Sequence, residues 1–261
     1  MRFLGIDLAW KDGNPSGLAL LGGRSFPLHL RERPRTAARH ADVLDWIARN
    51  AAHHRASVGI DAPLLGLGLG RRGCDDLISS RFGRFHASTH SPPSYPGLAA
   101  FTRALLEAHE IEALGPGWNP RSRCPAIREV YPNALQVFLF GLDRNPGLTI
   151  ATYKLRRFGS RRGWVERGLR PFIERCIEAI GGRYVDTHDP AWRALVADQP
   201  DVSMSVAELK SIEDRWDAMI CAIATALEFF EKGSMRFYPG DGAAWRRGYI
   251  LAPALPTRPR S

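Results

Sequence analysis

At 261 residues, 44% hydrophobic and 24% charged, the chain is long enough to bury a full core and is unlike a disordered or fibrous sequence. It has no run of about 18 apolar residues, so no helical membrane span is expected. The formal charge of +9 comes mainly from arginine, whose planar guanidinium suits phosphate oxygens. That balance favours an anionic partner such as nucleic acid, DNA or RNA, although a basic surface can also arise without function.

Arg2 to Ala9, RFLGIDLA, is apolar nearly throughout and reads as a central strand rather than a secretory leader, so a cytoplasmic protein is expected. KDGNPS is turn chemistry. SGLALLGG and then Ser25 to Arg31 read as second and third strands of an antiparallel meander. Thr36 to Asn50 has helical spacing, with Val43, Leu44, Ile47 and Ala48 on one face, and it leads into the strand SVGIDAPLL. Residues from about 66 to 120 read as an insertion. It holds the loop GLGLGRRG, a short helix from Cys74 to Phe82, a Pro-rich irregular stretch and a helix from Phe101 to Leu114. Ile127 to Tyr131 is the next strand, and Pro132 to Phe140 a helix.

Trp164 to Ile180 is an amphipathic helix stopped by Gly181-Gly182. A last long helix starts near Ser205 or Ser211 and runs to Lys232; its DAMICAIATALEFF interior is apolar almost all round, so it should be buried. GYILAP is a final short strand. The expectation is one α/β domain over 1–250, a mixed five-stranded sheet flanked by helices, with a flexible tail over 251–261. Cys74, Cys124, Cys176 and Cys221 are far apart and form no CxxC pair, so free thiols are expected.

Four aspartates stand where aspartate is costly. Asp7 and Asp61 interrupt apolar strands in the shared pattern G-I-D-x, and parallel pairing of those strands would set the two carboxylates side by side. Asp214 and Asp217, three apart in DRWDA, share a helix face, where like charges repel unless a cation lies near. The alternative for Asp214 is a capping role, since Ser211-x-x-Asp214 fits a loose capping box. Glu129, in REVYP, is a further candidate ligand or base; equally it can pair with Arg128 or Arg71. Arg71, Cys74 and Asp75 either line a substrate channel or pin their loop. Lys154 is a candidate phosphate contact, against the plainer reading of a solvated lysine.

Strand-Asp, two strands, helix, strand-Asp and finally helix-DxxD is the chain order of the ribonuclease-H-like superfamily, and the ending resembles Holliday-junction resolvases of the RuvC type. The segments FLGIDLAW, SGLALL, VGIDAPL, RRGCDDLISSRFG, EVYPNALQVFLFG, DRWDAMICAIATALE and RGYILAP resemble the domain of unknown function 429 family of predicted nucleases. That resemblance implies a ribonuclease-H-like fold and a metal-dependent nuclease. In such an enzyme Asp7 would bridge two Mg²⁺ or Mn²⁺ ions, completed by Asp61 and Asp217, with Asp214 a ligand or a helper. Resolvases usually dimerise, so a homodimer is an open expectation.

Other classes fit less well. An actin-like ATPase needs two such halves, for which 261 residues are short. Gly68-Leu69-Gly70-Arg71-Arg72-Gly73 matches a dinucleotide fingerprint but is displaced from its strand. A basic nucleic-acid- or nucleotide-binding module without catalysis is the non-enzymatic alternative.

Overall fold

A strand covered on both faces needs apolar side chains at odd and even positions alike, and Phe3, Leu4 and Ile6 meet that need. The computed structural model describes residues 1–51, 55–68, 70–90, 96–109, 126–145, 147–240 and 247–255, and in it these residues form the central strand β1 (Arg2–Asp7). β2 (Ser16–Gly22) returns antiparallel to β1, and both β3 (His29–Leu30) and β4 (Arg35–Ala37) pair with β2. After α1 (His40–Ala51), β5 (Ala56–Ile60) runs parallel to β1 on its other side. α2 (Gly73–Phe82) and α3 (Pro96–His109) lead to β6 (Ala126–Glu129), parallel to β5. The result is an α/β architecture around a mixed sheet, ordered β3-β2-β1-β5-β6 with β4 beside β2.

Four more helices lead up to the last helix and a closing ribbon: α4 (Pro132–Leu139), α5 (Arg161–Trp164), α6 (Arg170–Ile180) and α7 (Pro190–Ala197). Then come α8 (Val206–Phe230) and the ribbon of β7 (Met235–Tyr238) with β8 (Ile250–Pro253). The period-two alternation of the strands divides the core. Leu4, Ile6, Val58 and Ile60 pack with Val43, Trp46 and Ile47 of α1 and Leu98 and Phe101 of α3. Phe3, Ala19 and Leu21 instead pack with residues of α6 and α8. Every residue of α8 from Trp216 to Leu227 is buried, as its apolar composition requires.

Several elements depart from expectation, each for a physical reason. The sheet has six strands, not five, because Thr36 pairs with Gly17 in β4 instead of starting a helix. Helix α1 begins only at His40, where the Asp12 carboxylate accepts from the His40 N–H at 2.7 Å, a cap supplied from 28 residues away. The third strand shrinks to two residues, since Pro27 has no N–H to offer a ladder. The helix expected from Trp164 starts at Arg161 and includes a π turn over Val165–Leu169 just ahead of Pro171, whose missing donor breaks the regular pattern.

Helix α3 starts five residues before Phe101, and its expected end at Leu114 lies outside the described residues, as does the tail beyond 255. Strand β8 carries the packed chain past residue 250, with Leu251, Ala252 and Leu255 buried. It pairs with β7, an element the sequence pattern did not mark, as it did not mark α7. Cys74, Cys176 and Cys221 are free and buried, as expected, whereas Cys124 lies outside the described residues. Among the described residues no helix is long and apolar enough to cross a membrane.

Candidate metal centre

Glycines on the three central strands bring α8 down onto the sheet. A Cβ on Gly5 would collide with the Ala218 carbonyl oxygen, one on Gly17 with that of Asp214, and one on Gly59 would lie 2.5 Å from that of Cys221. Only glycine permits so close a backbone approach. Two residues beyond Gly5 and Gly59, on the same pleat face, stand Asp7 and Asp61. The parallel register aligns Ile6 with Ile60, and the Asp61 N–H donates to the Ile6 carbonyl at 2.8 Å, so the two aspartates end adjacent strands at one level. Gly17, opposite Asp7 on β2, places Asp214 of α8 over the same strand end.

Ser205 caps α8, not Ser211. Its hydroxyl accepts from the Glu208 N–H at 3.2 Å, and its own N–H donates to the Glu208 carboxylate at 2.7 Å. Asp214 and Asp217 therefore lie past the second turn, inside the helix and only 1% exposed, so capping accounts for neither. Glu213, also 1% exposed, completes an acidic face.

Two lysines enter this face. Lys154 Nζ donates to Asp217 Oδ2 at 2.6 Å and lies 3.0 Å from Glu213 Oε1. Lys210 Nζ donates to Glu213 Oε1 at 2.8 Å and pairs with Asp214 Oδ1. The Tyr153 hydroxyl donates to Asp217 Oδ1 at 2.8 Å, so both oxygens of Asp217 are engaged. By contrast, Asp214 Oδ2 and Glu213 Oε2 are buried without a partner. The carboxylates of Asp7 and Asp61 likewise form no hydrogen bond or ion pair among the described residues.

Five carboxylates thus face two ammonium groups, an excess of three negative charges when all are ionised. The protonation equilibria reflect that excess. Burial and then Asp7 push Asp214 up to about 8, against the pull of Lys210. Burial raises Asp217 to about 6; Lys154 opposes that rise and Asp7 adds to it. Asp61 is held well above the usual carboxylate range by burial and by Asp7. Burial disfavours the charge on Lys154, yet Asp217 and its neighbours outweigh this and hold its pKa well above normal.

The donor chemistry is that of a hard divalent cation, although the oxygens are not gathered around one point. Every donor is an oxygen, two strand-end carboxylates lack partners, and a buried Asp214 oxygen stands open. No three of these carboxylates bring their oxygens within 4.8 Å of one another; ammonium groups lie against Asp214, Glu213 and Asp217 instead. The one such trio among the described residues is His29, Asp186 and Asp189. It belongs to the opposite end of the sheet, where His29 pairs with Gly22 and Gly22 with Arg2.

Glu129 lies on the other pleat face, level with Ile60. Its carboxylate accepts from Arg72 Nη1 and Nη2 at 2.9 and 2.6 Å and from the Leu64 N–H at 2.9 Å. Neither Arg71 nor Arg128 is its partner. Arg128 points the opposite way and pairs with Glu228 at 3.1 Å, as alternation along a strand demands. Arg71 pairs with exposed Asp76 and donates to Ser79 Oγ at 2.8 Å, so it pins its loop. Arg72 also pairs with Asp75 at 2.9 Å. Lys154, read from the sequence as a phosphate contact or a solvated lysine, is instead bound to Asp217 and Glu213.

Sequence reading missed Glu213, Lys210 and Tyr153. One signal was available: the chain has only four lysines, Lys11, Lys154, Lys210 and Lys232, among 36 basic residues, and two of them sit at this cluster.

Fold and site together define an α/β protein with a buried, undercompensated carboxylate cluster at the ends of two parallel strands. The chain matches, over residues 5–244, the family described as Protein of unknown function (DUF429), and it belongs to that family. No curated protein and no solved structure matches it.

Proposed function

We propose that the protein is a ribonuclease-H-like, metal-dependent nuclease that hydrolyses phosphodiester bonds in nucleic acid at the Asp7–Asp61–Asp214 cluster. The observation that carries the reading is the pair of half-buried strand-end carboxylates, Asp7 and Asp61, without a side-chain partner among the described residues, beneath a buried Asp214 whose second oxygen is open. An uncompensated acid in such a place costs stability, and a bound cation is the relief its all-oxygen surroundings suit. Support for the finer fold comes from the order of elements: a central strand, an antiparallel hairpin beside it, two parallel strands and a last helix crossing the acids.

Asp7, Asp61 and Asp214 would hold Mg²⁺ or Mn²⁺, and Asp217, whose oxygens now accept from Tyr153 and Lys154, would complete the set. The ion would supply an acidified water and charge stabilisation at phosphorus. Lys154, at 38% side-chain exposure, stands at the rim where a phosphate arrives. The arginines that follow it, Arg157, Arg161 and Arg162, and the overall charge of +9 favour a polyanion over a small neutral substrate. Glu129 has no part in the chemistry, because Arg72 and the Leu64 N–H already saturate it.

The test is a cleavage screen in Mn²⁺ over single-stranded, duplex and junction forms of DNA and RNA, run beside Asp7→Asn. Wild-type cleavage lost in a folded Asp7→Asn protein is the expected result. Equal cleavage by both would exclude this site. Binding of nucleic acid with no Mn²⁺ uptake and no cleavage would favour a non-catalytic module.

A further inference from the structure

Asp217 takes its charge compensation, and Glu213 part of its own, from a residue on another segment. Lys154 belongs to neither α8 nor the sheet; it lies just ahead of the short 3₁₀ turn Leu155–Arg157. The backbone beneath it is fixed. Tyr153 is 2% exposed, its ring stacks on Phe172 at 3.8 Å between centroids, and its carbonyl accepts from Trp164 Nε1 at 2.6 Å. The Tyr153 hydroxyl also accepts from Gln136 Nε2 at 3.0 Å. Lys154 therefore projects from a rigid base, and only its side chain has freedom to move.

That side chain is 38% exposed, so its stem borders solvent. Lys210 differs. It binds Glu213 and Asp214 three and four residues along its own helix, an arrangement that helix geometry itself maintains. The residue type matters as well. In a chain so dominated by arginine, lysine stands at this point, and its compact charge on a flexible stem leaves a carboxylate more readily than a bidentate guanidinium does.

Resting on the reading of the cluster as a divalent-cation site, we propose that Lys154 is an exchangeable counter-cation. It neutralises Asp217 and Glu213, yields Asp217 when a divalent ion binds, and then presents its ammonium to an incoming phosphate. Asp217, now held by the Lys154 ammonium, can turn to an ion only if that ammonium gives way.

Mn²⁺ binding is measured by calorimetry on the full chain as wild type, Lys154→Met and Lys154→Arg, with circular dichroism as the check on folding. Lys154 is also probed in the wild type by limited amine acetylation read by peptide mass spectrometry, with and without Mn²⁺, exposed Lys232 serving as reference. Removing the competing charge should tighten Mn²⁺ binding by about tenfold, the weight of one pKa unit of charge interaction. Lys154→Arg, which keeps the charge, should bind no tighter than wild type. Acetylation of Lys154 relative to Lys232 should rise when Mn²⁺ is added.

Wild-type binding with no gain in Lys154→Met, or with Lys154 acetylation unchanged by Mn²⁺, overturns the exchange and leaves the metal site standing. If neither wild type nor Lys154→Met binds Mn²⁺, the metal reading and the exchange fall together. Binding by Lys154→Met alone is exchange in its strongest form. The acetylation arm needs no variant, so a misfolded Lys154→Met protein would still leave the question decided.

Discussion

Two buried ionic networks flank the end of β5, and they are built to opposite rules. On one face, the Arg72 guanidinium donates four hydrogen bonds to Glu129 and Asp75 and a fifth to the Leu65 carbonyl, and the Leu64 N–H completes Glu129. Burial lifts the Glu129 pKa, but Arg72 pulls it back. On the other face, five carboxylates share two ammonium groups; half-buried Asp7 and Asp61 have no partner among the described residues, and buried oxygens of Asp214 and Glu213 have none. A network that closes on itself has a structural purpose fulfilled within the chain. One left open is what the proposed cation site requires, since like charges kept together cost stability until a cation joins them.

That contrast can be broken most severely at Gly5. Gly5→Val would drive side-chain atoms into the Ala218 carbonyl and lift α8 off the sheet, a loss of about 3 kcal/mol or more in denaturant unfolding. Any folded remainder should bind no Mn²⁺, since Asp214 leaves Asp7. Arg72→Met attacks the closed network instead. It strands Glu129 and Asp75 as buried, unpaired charges and should cost about 3–5 kcal/mol by the same measurement. Where that variant remains folded, Mn²⁺ binding should survive, separating the structural network from the functional one.

The open network should instead gain from loss of charge. A carboxyl whose pKa is higher folded than unfolded binds more protons when folded. It stabilises fully below its unfolded value near 4 and loses that stabilisation as pH rises through its folded value. For Asp214 the window runs from about 4 to about 8. Asp214→Asn should flatten the fall in stability across that window and gain about 1–2 kcal/mol at its upper end, read from unfolding midpoints at several pH values. A steeper profile in the variant would contradict the charge excess. Arg71→Ala, at an exposed pair with Asp76, should change stability by less than about 1 kcal/mol and so set the baseline for both networks.

Much of this was legible in the chain itself. Asp7 and Asp61 stood out because apolar strands leave a carboxylate few uses, and the repeated G-I-D pattern anticipated their parallel alignment. The helix positions of Asp214 and Asp217 were legible too, but their place within α8 was not. Ser211-x-x-Asp214 imitates the capping box that Ser205-x-x-Glu208 actually forms, and a four-residue pattern cannot tell the two apart. For Glu129 the sequence left open a ligand or base role and a pairing with Arg128 or Arg71. Adjacent Arg128 faces the opposite way, and Glu129 does pair with an arginine, but a different one. Its partner Arg72 arrives from 57 residues earlier through the loop ahead of α2.

The sequence by itself determined the alternation of strands and helices, the burial of α8 and the two strand-end acids. These follow from local rules: the period of apolar residues, and the cost of placing charge among them. Which charges meet was decided only in three dimensions. The three glycines set how closely α8 approaches, and that approach joins Asp214 to Asp7. Lys154 reaches Asp217 from 63 residues away. Electrostatic energy depends on distance through space and on solvent exclusion, and neither is written in the separation of residues along a chain.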